Sequence, residues 1–186
     1  DLAARFVLRL GVGLLGVRSY VRSADWRSEE TLWRATLEVA PRSLRAHYNL
    51  GIALRRERRW QEAEGHFARA VEIDPRDVDS LIALAEVRGR LGDYRSAVQT
   101  ARLAAQVTPD VQAYVVLGWA RLSLGAPFAA RRAFQKALEL DGGSEDALRG
   151  LLAVRKKLRP RARIRSDAGE DPTRQPAADP RPQAGS

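Results

Sequence analysis

The residue types that carry out catalysis or bind metals are scarce in this sequence of 186 residues. It contains no cysteine, which excludes thiol catalysis, disulfide bonds and metal sites with cysteine ligands. Its two histidines, His47 and His66, are nineteen positions apart. His47 falls in a column of packing residues and His66 precedes the apolar residue Phe67, so we interpret both as structural. The sequence therefore predicts no metal site.

Three pairs of carboxylates, which could act as a general acid and base, lie where helices are predicted to begin. These pairs are Glu29 and Glu30, Asp77 and Asp79, and Glu145 and Asp146. Negative charge at a helix N-terminus complements the helix dipole, so we interpret the pairs as helix-start signals. Neither a P-loop of the form G-x-x-x-x-G-K-[ST] nor a G-x-S-x-G nucleophile motif is present. We expect no catalytic residue and no cofactor.

The composition favours close helix packing over a large aromatic core. Hydrophobic residues make up 45% of the chain and aromatic residues only 6%, so small aliphatic side chains must fill the interior. The net charge of +9 raises the question of nucleic-acid binding. The positive charge is spread along the whole sequence, whereas a phosphate-binding face needs it concentrated. We therefore expect no nucleic-acid partner.

The positions that would carry any function are set by a repeat of 34 residues. The recurring residues include Pro41, Pro75 and Pro109, then Trp26, Trp60 and Tyr94, and, with one shorter loop before the last unit, Ala63, Ala97 and Ala130. Within each unit the apolar residues follow the i, i+3, i+4, i+7 spacing of an amphipathic helix. No segment alternates as a strand does. The sequence predicts an all-α fold of repeated helix pairs.

Residues that begin and end helices recur at the same period. The predicted N-caps are Ser43, Asp77, Asp110 and Ser144. Gly92 and Gly125 lie at the predicted turn inside each pair, where a positive φ is expected. Pro75 and Pro109 end second helices, because proline cannot continue a helix. Small residues such as Gly51 and Ala63 allow the two helices of a pair to approach closely.

This combination of columns resembles the tetratricopeptide repeat (TPR) family. The resemblance implies a right-handed α-solenoid of helix pairs with a C-terminal capping helix. The predicted divisions are a degenerate half-repeat at 23–43, repeats at 44–77, 78–110 and 111–144, and a capping helix at 145–158. Arg155, Lys156 and Lys157 are expected on the outer face of that last helix. Residues 159–186 are rich in proline and charge, and we expect them to be disordered.

Residues 1–22 are apolar but interrupted by Arg5 and Arg9. Three interpretations remain open for this segment: the first helix of the degenerate repeat, an amphipathic helix at a membrane surface, or the end of a membrane-spanning helix cut at Asp1. Because the chain contains no methionine, we expect further sequence before Asp1.

The segment that follows carries a second resemblance. The residues concerned are Arg18, Arg22, Asp25, Trp26, Glu29, Glu30 and Leu32. They are similar to the junction between the last membrane helix and the first repeats of the transmembrane and TPR-containing O-mannosyltransferases. That resemblance implies attachment to a membrane with the repeats on the extracytoplasmic side, while catalytic acids lie upstream of this chain. A cytoplasmic location is the alternative.

The TPR resemblance also implies where a partner binds, since these arrays bind proteins or peptides in a concave groove formed by their first helices. The matching positions are Arg45, Tyr48, Asn49, Ile52, Asp79, Ile82, Glu86, Val115 and Trp119. The lysine and asparagine set that holds a peptide's terminal carboxylate in some TPR domains is absent. Trp119 is the best candidate for an anchor, and packing between repeats is the alternative for it.

The sequence thus predicts an interaction module without chemistry of its own, which binds a protein or peptide. The alternative is that the chain is the soluble extracytoplasmic tail of a polytopic membrane glycosyltransferase-like protein whose catalytic part lies upstream.

Overall fold

The computed structural model describes residues 29–158, and these residues form helices joined by short turns. The helices are α1 (Glu29–Val39), α2 (Leu44–Arg56), α3 (Trp60–Ile73), α4 (Val78–Arg90), α5 (Tyr94–Val107), α6 (Val111–Ser123), α7 (Pro127–Leu140) and α8 (Glu145–Leu158). No strand occurs in this range. Repeat 44–77 contains α2 and α3, repeat 78–110 contains α4 and α5, and repeat 111–144 contains α6 and α7.

Local sequence signals explain where the first helices begin. The side chains of Ser43, Asp77 and Asp110 each accept a hydrogen bond from the backbone N–H three residues later. Ser144 does the same at the start of α8, with 3.4 Å between its Oγ and the nitrogen of Ala147. These bonds satisfy backbone donors that a helix leaves without a partner at its first turn.

The turns inside two of the pairs need a left-handed backbone. Gly92 and Gly125 have φ values of +86° and +79°, which glycine adopts without a steric penalty. Arg58 occupies the corresponding turn between α2 and α3 with φ +62°. The first pair therefore closes with the same turn geometry although its sequence lacks the glycine.

Glycines hold the two helices of a pair together through contact with a phenylalanine. A Cβ atom built on Gly51 would lie 2.7 Å from the ring of Phe67, so a glycine is needed there. Phe134 is flanked in the same way by Gly118 of α6 and Gly150 of α8. Both rings are fully buried. Each phenylalanine is thus the centre of a local core, and Phe134 links α7 to the helices on both sides.

The helix pairs stack in register along the chain. Each helix packs against the one before and the one after, and α6 also contacts α4 and α8. The first helices α4, α6 and α8 therefore lie side by side and form one surface of the array. This arrangement confirms the predicted all-α solenoid.

The last helix differs in part from the polar cap that its sequence predicts. Arg155, Lys156 and Lys157 are exposed, but so are Leu148 and Leu152, at 46% and 64% of their surface. Leu152 occupies the column of Gly51 and Gly118 on the side where a second helix packs in earlier repeats. The described part of the chain ends with that side of α8 uncovered.

The predictions for residues 1–22 and for the tail at 159–186 lie outside the described residues. Within residues 29–158, no helix combines the length and the apolar character that crossing a bilayer requires.

Candidate functional site

A cleft runs along the surface formed by the first helices. It is a cavity of about 480 Å³ between α4, α6 and α8, with one side chain from the start of α5. Its lining residues are Ala85, Glu86, Gly89, Arg90, Tyr94, Gln112, Val115, Val116, Trp119, Ala120, Ser123 and Asp146. We call this cavity the α4–α6–α8 cleft.

The cleft brings together three of the predicted groove residues: Glu86, Val115 and Trp119. The other six do not line it; they are Arg45, Tyr48, Asn49, Ile52, Asp79 and Ile82. Of these, Tyr48 and Ile52 pack against the core around Phe67, and Ile82 packs against the cores of the next repeat. The predicted groove positions thus recur in every repeat, but they line a cavity only at the C-terminal repeats.

Trp119 contacts the core and also lines the cleft. Its ring contacts Phe134 edge to face, with 5.4 Å between the centroids and 73° between the ring planes. At the same time 38% of its surface is exposed, and it lines the cleft. One edge of the indole therefore supports the core while another is available to a ligand.

The base of the cleft is apolar. Val115 and Val116 are almost fully buried; Val115 packs with Ala137 and Ala147, and Val116 packs with the core of the preceding repeat. These residues give the cleft a rigid floor, because their side chains are fixed by helices on both sides. A large apolar group lying on this floor would be removed from water together with the exposed edge of Trp119.

The polar groups of the cleft are unevenly paired. The carboxylate of Glu86 accepts hydrogen bonds from Arg55 and from Gln112, the latter at 2.8 Å. Asp146 forms an ion pair with Arg149 at 2.8 Å. Arg90 forms no ion pair with any residue in the range 29–158. Arg90 is therefore the charged group of the cleft that is free to meet a negatively charged partner.

Nine of the twelve lining residues were not among the predicted groove residues: Ala85, Gly89, Arg90, Tyr94, Gln112, Val116, Ala120, Ser123 and Asp146. Arg90, Tyr94 and Ser123 lie at helix ends, outside the groove positions that the resemblance implied. Asp146 is the second residue of α8 and falls in the column of Arg45 and Asp79, so continuing the 34-residue alignment into α8 would have found it. Since Gln112 and Ser123 are eleven positions apart on α6, the cleft spans about 16 Å along that helix.

Tyr48 lies at the N-terminal end of the same surface and belongs to the core more than to the cleft. Its ring meets Phe67 edge to face, with 5.8 Å between centroids. Burial raises the pKa of its hydroxyl, and the negative charge of Asp79 adds to that effect. A tyrosine with a raised pKa stays protonated, so its hydroxyl can donate a hydrogen bond but does not act as a base.

The two histidines form a pair between α2 and α3. Their Nδ1 atoms are 3.1 Å apart, and Nε2 of His47 lies 3.1 Å from the carbonyl oxygen of Pro41. A carbonyl only accepts, so Nε2 of neutral His47 donates to it and its Nδ1 accepts from Nδ1–H of His66. No cluster of three or more metal-ligating side chains occurs among the described residues. The pair joins two helices and resembles no catalytic arrangement.

The fold is a helical-repeat scaffold whose first helices form a concave cleft. A family model described as "Tetratricopeptide repeat" matches residues 14–78 and 82–147. These two matches cover most of the chain, and the protein belongs to the TPR family.

Curated relatives with similar sequences include O-mannosyltransferases. The chain is 21% identical to Protein O-mannosyl-transferase TMTC3 of Homo sapiens over 193 residues, which covers 77% of this chain and 21% of the relative. It is 30% identical to Protein O-mannosyl-transferase Tmtc3 of Drosophila melanogaster over 99 residues, or 51% of this chain and 11% of the relative. The chain thus spans about a fifth or less of the length of these relatives.

Solved structures with the same fold include peptide-bound TPR domains. The first TPR of Spaghetti (RPAP3), solved with the HSP90 peptide SRMEEVD, superposes with a TM-score of 0.60 at 21% identity, covering 62% of this chain and 92% of that one. A crystal structure of MamA protein superposes with a TM-score of 0.65 at 15% identity, covering 76% and 78%. At these identities the likeness shows the fold.

Proposed function

We propose that this chain is a protein-interaction module that binds a peptide segment of its partner in the α4–α6–α8 cleft. The observation that carries the proposal is the exposed edge of Trp119 above an apolar floor. A tryptophan that is held by Phe134 loses little conformational freedom on binding, and such rigid aromatic residues often dominate the energy of an interface. The chain itself contributes binding and no catalytic step.

The dimensions and charges of the cleft indicate what segment fits it. About 16 Å of cleft accommodates four to five residues of extended peptide, at roughly 3.3 Å per residue. A large apolar side chain near the middle would lie on Trp119 and Val115. Arg90 at one end favours an acidic side chain, whereas Asp146 at the other end favours a basic one. The segment is therefore apolar in its centre and charged at its ends.

A terminal carboxylate is not the group that we expect to be recognised. The columns that hold it in some TPR domains contain Tyr48, Ile52, Ala83, Gln112 and Val116. These side chains supply neither lysine nor a pair of asparagines. The structural likeness to a TPR domain bound to an HSP90 peptide supports peptide binding in general. A segment from within the partner's chain fits this cleft better than its C-terminus does.

A selection of peptides on the immobilised chain tests the proposal. Heptapeptides displayed on phage would be selected on the intact chain, and the dissociation constants of the selected peptides measured by fluorescence anisotropy. We expect Trp119→Ala to weaken binding by about 2 kcal/mol, which is roughly thirtyfold. Phe128→Ala is the matched control, since Phe128 is an exposed aromatic residue outside the cleft. Equal affinity of the Trp119→Ala variant and the parent would refute the proposal.

We also propose, as a second candidate, that the module is the extracytoplasmic C-terminal part of a membrane glycosyltransferase-like protein. The similarity to several O-mannosyltransferases supports it, together with the small share of their length that this chain spans. The genomic sequence upstream of Asp1 tests this proposal. Consecutive apolar spans with acidic residues in the loops between them would support it, and a start codon directly upstream would rule it out.

A further inference from the structure

Two equivalent arginines of the array have very different surroundings. Arg88 in α4 and Arg121 in α6 occupy the same position of their first helices, eleven residues from the helix start. The guanidinium of Arg88 donates from Nε to Glu64 Oε1 at 3.0 Å and from Nη1 to Thr100 Oγ1 at 2.8 Å. A carboxylate from the preceding second helix, α3, balances its charge, and a hydroxyl from the following one, α5, accepts a second hydrogen bond.

Arg121 lacks both of these partners. The residue that corresponds to Glu64 is Val98, and the residue that corresponds to Thr100 is Ala133. Arg121 donates from Nη1 to the carbonyl oxygen of Ala129 at 3.2 Å. It forms no ion pair within residues 29–158 although its side chain is half-buried. Most of the donors of this guanidinium therefore remain available.

Two more arginines lie one helical turn from the residues that flank Arg121: Arg132 follows Ala129 by three positions on α7, and Arg102 follows Val98 by four positions on α5. Arg102 of α5 and Arg132 of α7 are exposed, and neither forms an ion pair with a described carboxylate. Burial lowers the pKa of Arg121, and the positive charges of Arg102 and Arg132 lower it further. At Leu122, the residue that follows Arg121, the carbonyl oxygen accepts a hydrogen bond from Nζ of Lys157 at 2.7 Å. The cluster thus concentrates positive charge without a counter-ion from the described chain.

We propose that Arg102, Arg121 and Arg132 form a binding site for an oxyanion of the phosphate type. The bound anion takes the place beside Arg121 that the carboxylate of Glu64 takes beside Arg88, one repeat earlier. Guanidinium groups present planar forks of N–H donors that match phosphate oxygens and form strong charge-assisted bonds with them. The same chemistry is offered by free phosphate and by the phosphate monoester headgroup of a lipid.

This site is separate from the peptide cleft. Arg102 and Arg132 belong to second helices, whereas the cleft is lined mainly by first helices, and none of the three arginines lines it. Loss of peptide binding in the Trp119→Ala variant therefore leaves the oxyanion site intact, and loss of the oxyanion site leaves the cleft intact.

Isothermal titration calorimetry tests the proposal. Inorganic phosphate is titrated into the full chain in a low-salt buffer. We expect saturable binding that Arg121→Gln and Arg102→Gln each weaken by about tenfold, since each removes a charge-assisted hydrogen bond. The Arg102→Gln variant is included because Arg102 is exposed, so we expect this change to leave the fold intact. Arg76→Gln is the control, since it removes one exposed positive charge from a turn distant in sequence and should leave the affinity unchanged.

The Val98→Glu variant tests whether a carboxylate beside Arg121 excludes the anion. It places a carboxylate where Glu64 lies relative to Arg88, and we expect it to abolish phosphate binding. Vesicles of phosphatidylcholine with and without phosphatidic acid distinguish the two sources of the anion. Binding only to vesicles that contain phosphatidic acid, weakened by the same arginine variants, would assign the site to a lipid headgroup. The proposal is overturned if neither probe binds, or if the Arg121 and Arg102 variants bind as the parent does.

Discussion

Ser80 has a buried hydroxyl that is left without a hydrogen-bond partner among the described residues. The side chain is fully buried, and the equivalent positions in the other first helices hold Ala46, Ala113 and Ala147. Removing an unpaired buried polar group is favourable, because its lost hydration is never compensated in the folded state.

We therefore expect Ser80→Ala to raise the free energy of unfolding by about 1 kcal/mol, measured by urea denaturation. Thr100→Ala is the comparison, since the Thr100 hydroxyl donates to the carbonyl of Ser96 and accepts from Arg88. That variant should lose about 1 kcal/mol. A loss of stability in Ser80→Ala would mean that the hydroxyl has a partner in solution.

The histidine pair makes stability depend on pH. The pKa of His66 is lowered below its ordinary value of 6.5, first by burial and then by His47. The unfolded chain therefore binds a proton at a higher pH than the folded chain does, so stability is constant above about pH 7 and falls as the pH drops below about 6.5.

Melting temperatures between pH 8 and pH 5 check this expectation. His66→Gln should remove most of the slope in this interval, because carboxylates titrate at lower pH. Arg34, Glu62 and Glu30 also face His66 and retain their charges over this interval. An unchanged slope in the variant would assign the pH dependence to another group.

At the scale of helices, glycine–phenylalanine contacts set how closely the two helices of a pair approach. A Cβ atom at Gly51 would lie 2.7 Å from Phe67, and one at Gly150 would overlap the ring of Phe134. Both rings are buried on all sides, so neither can move away at low cost.

Gly51→Ala and Gly150→Ala should therefore each cost about 1–3 kcal/mol in urea denaturation, and Gly51→Leu should cost more. Gly65→Ala is the matched control, because a Cβ atom there meets nothing within 4 Å. In the interior of α3 that change should stabilise the chain by up to about 1 kcal/mol, through the higher helix propensity of alanine. Equal effects at Gly51 and Gly65 would contradict the packing described here.

At the scale of the whole molecule, the array depends on its last helix. Helix α8 supplies Gly150 against Phe134 and buries Val154 in the core around that ring. Each unit of a solenoid is stabilised by its neighbours, so removing the last one uncovers the unit before it.

A chain that ends at Gly143 should therefore melt several degrees below the parent, as measured by circular dichroism. A chain that ends at Leu158 should melt at nearly the parental temperature, because the composition of residues 159–186 predicts no packed structure. A large drop for the longer truncated chain would show that the tail contributes to the fold.

The sequence by itself determined the elements of this protein. Its 34-residue period marked the helix pairs, and caps such as Asp77 and turns such as Gly92 marked their ends, because helix boundaries depend on residues that are close in sequence. The recurring glycines Gly51 and Gly118 also indicated that the two helices of a pair approach closely, because a residue without a side chain leaves room for the neighbouring helix. The left-handed turn at Arg58 was not predicted, because arginine carries no preference for a positive φ.

Only the tertiary structure decided which side chains meet across repeats. Six of the nine predicted groove residues fall outside the cleft, because the depth of a cavity depends on the curvature and side-chain packing of several helices. The charge cluster around Arg121 joins residues from three helices. Comparison with Arg88, which pairs with Glu64, shows that Arg121 has no such carboxylate among residues 29–158. Such features depend on distances between units that no single repeat specifies.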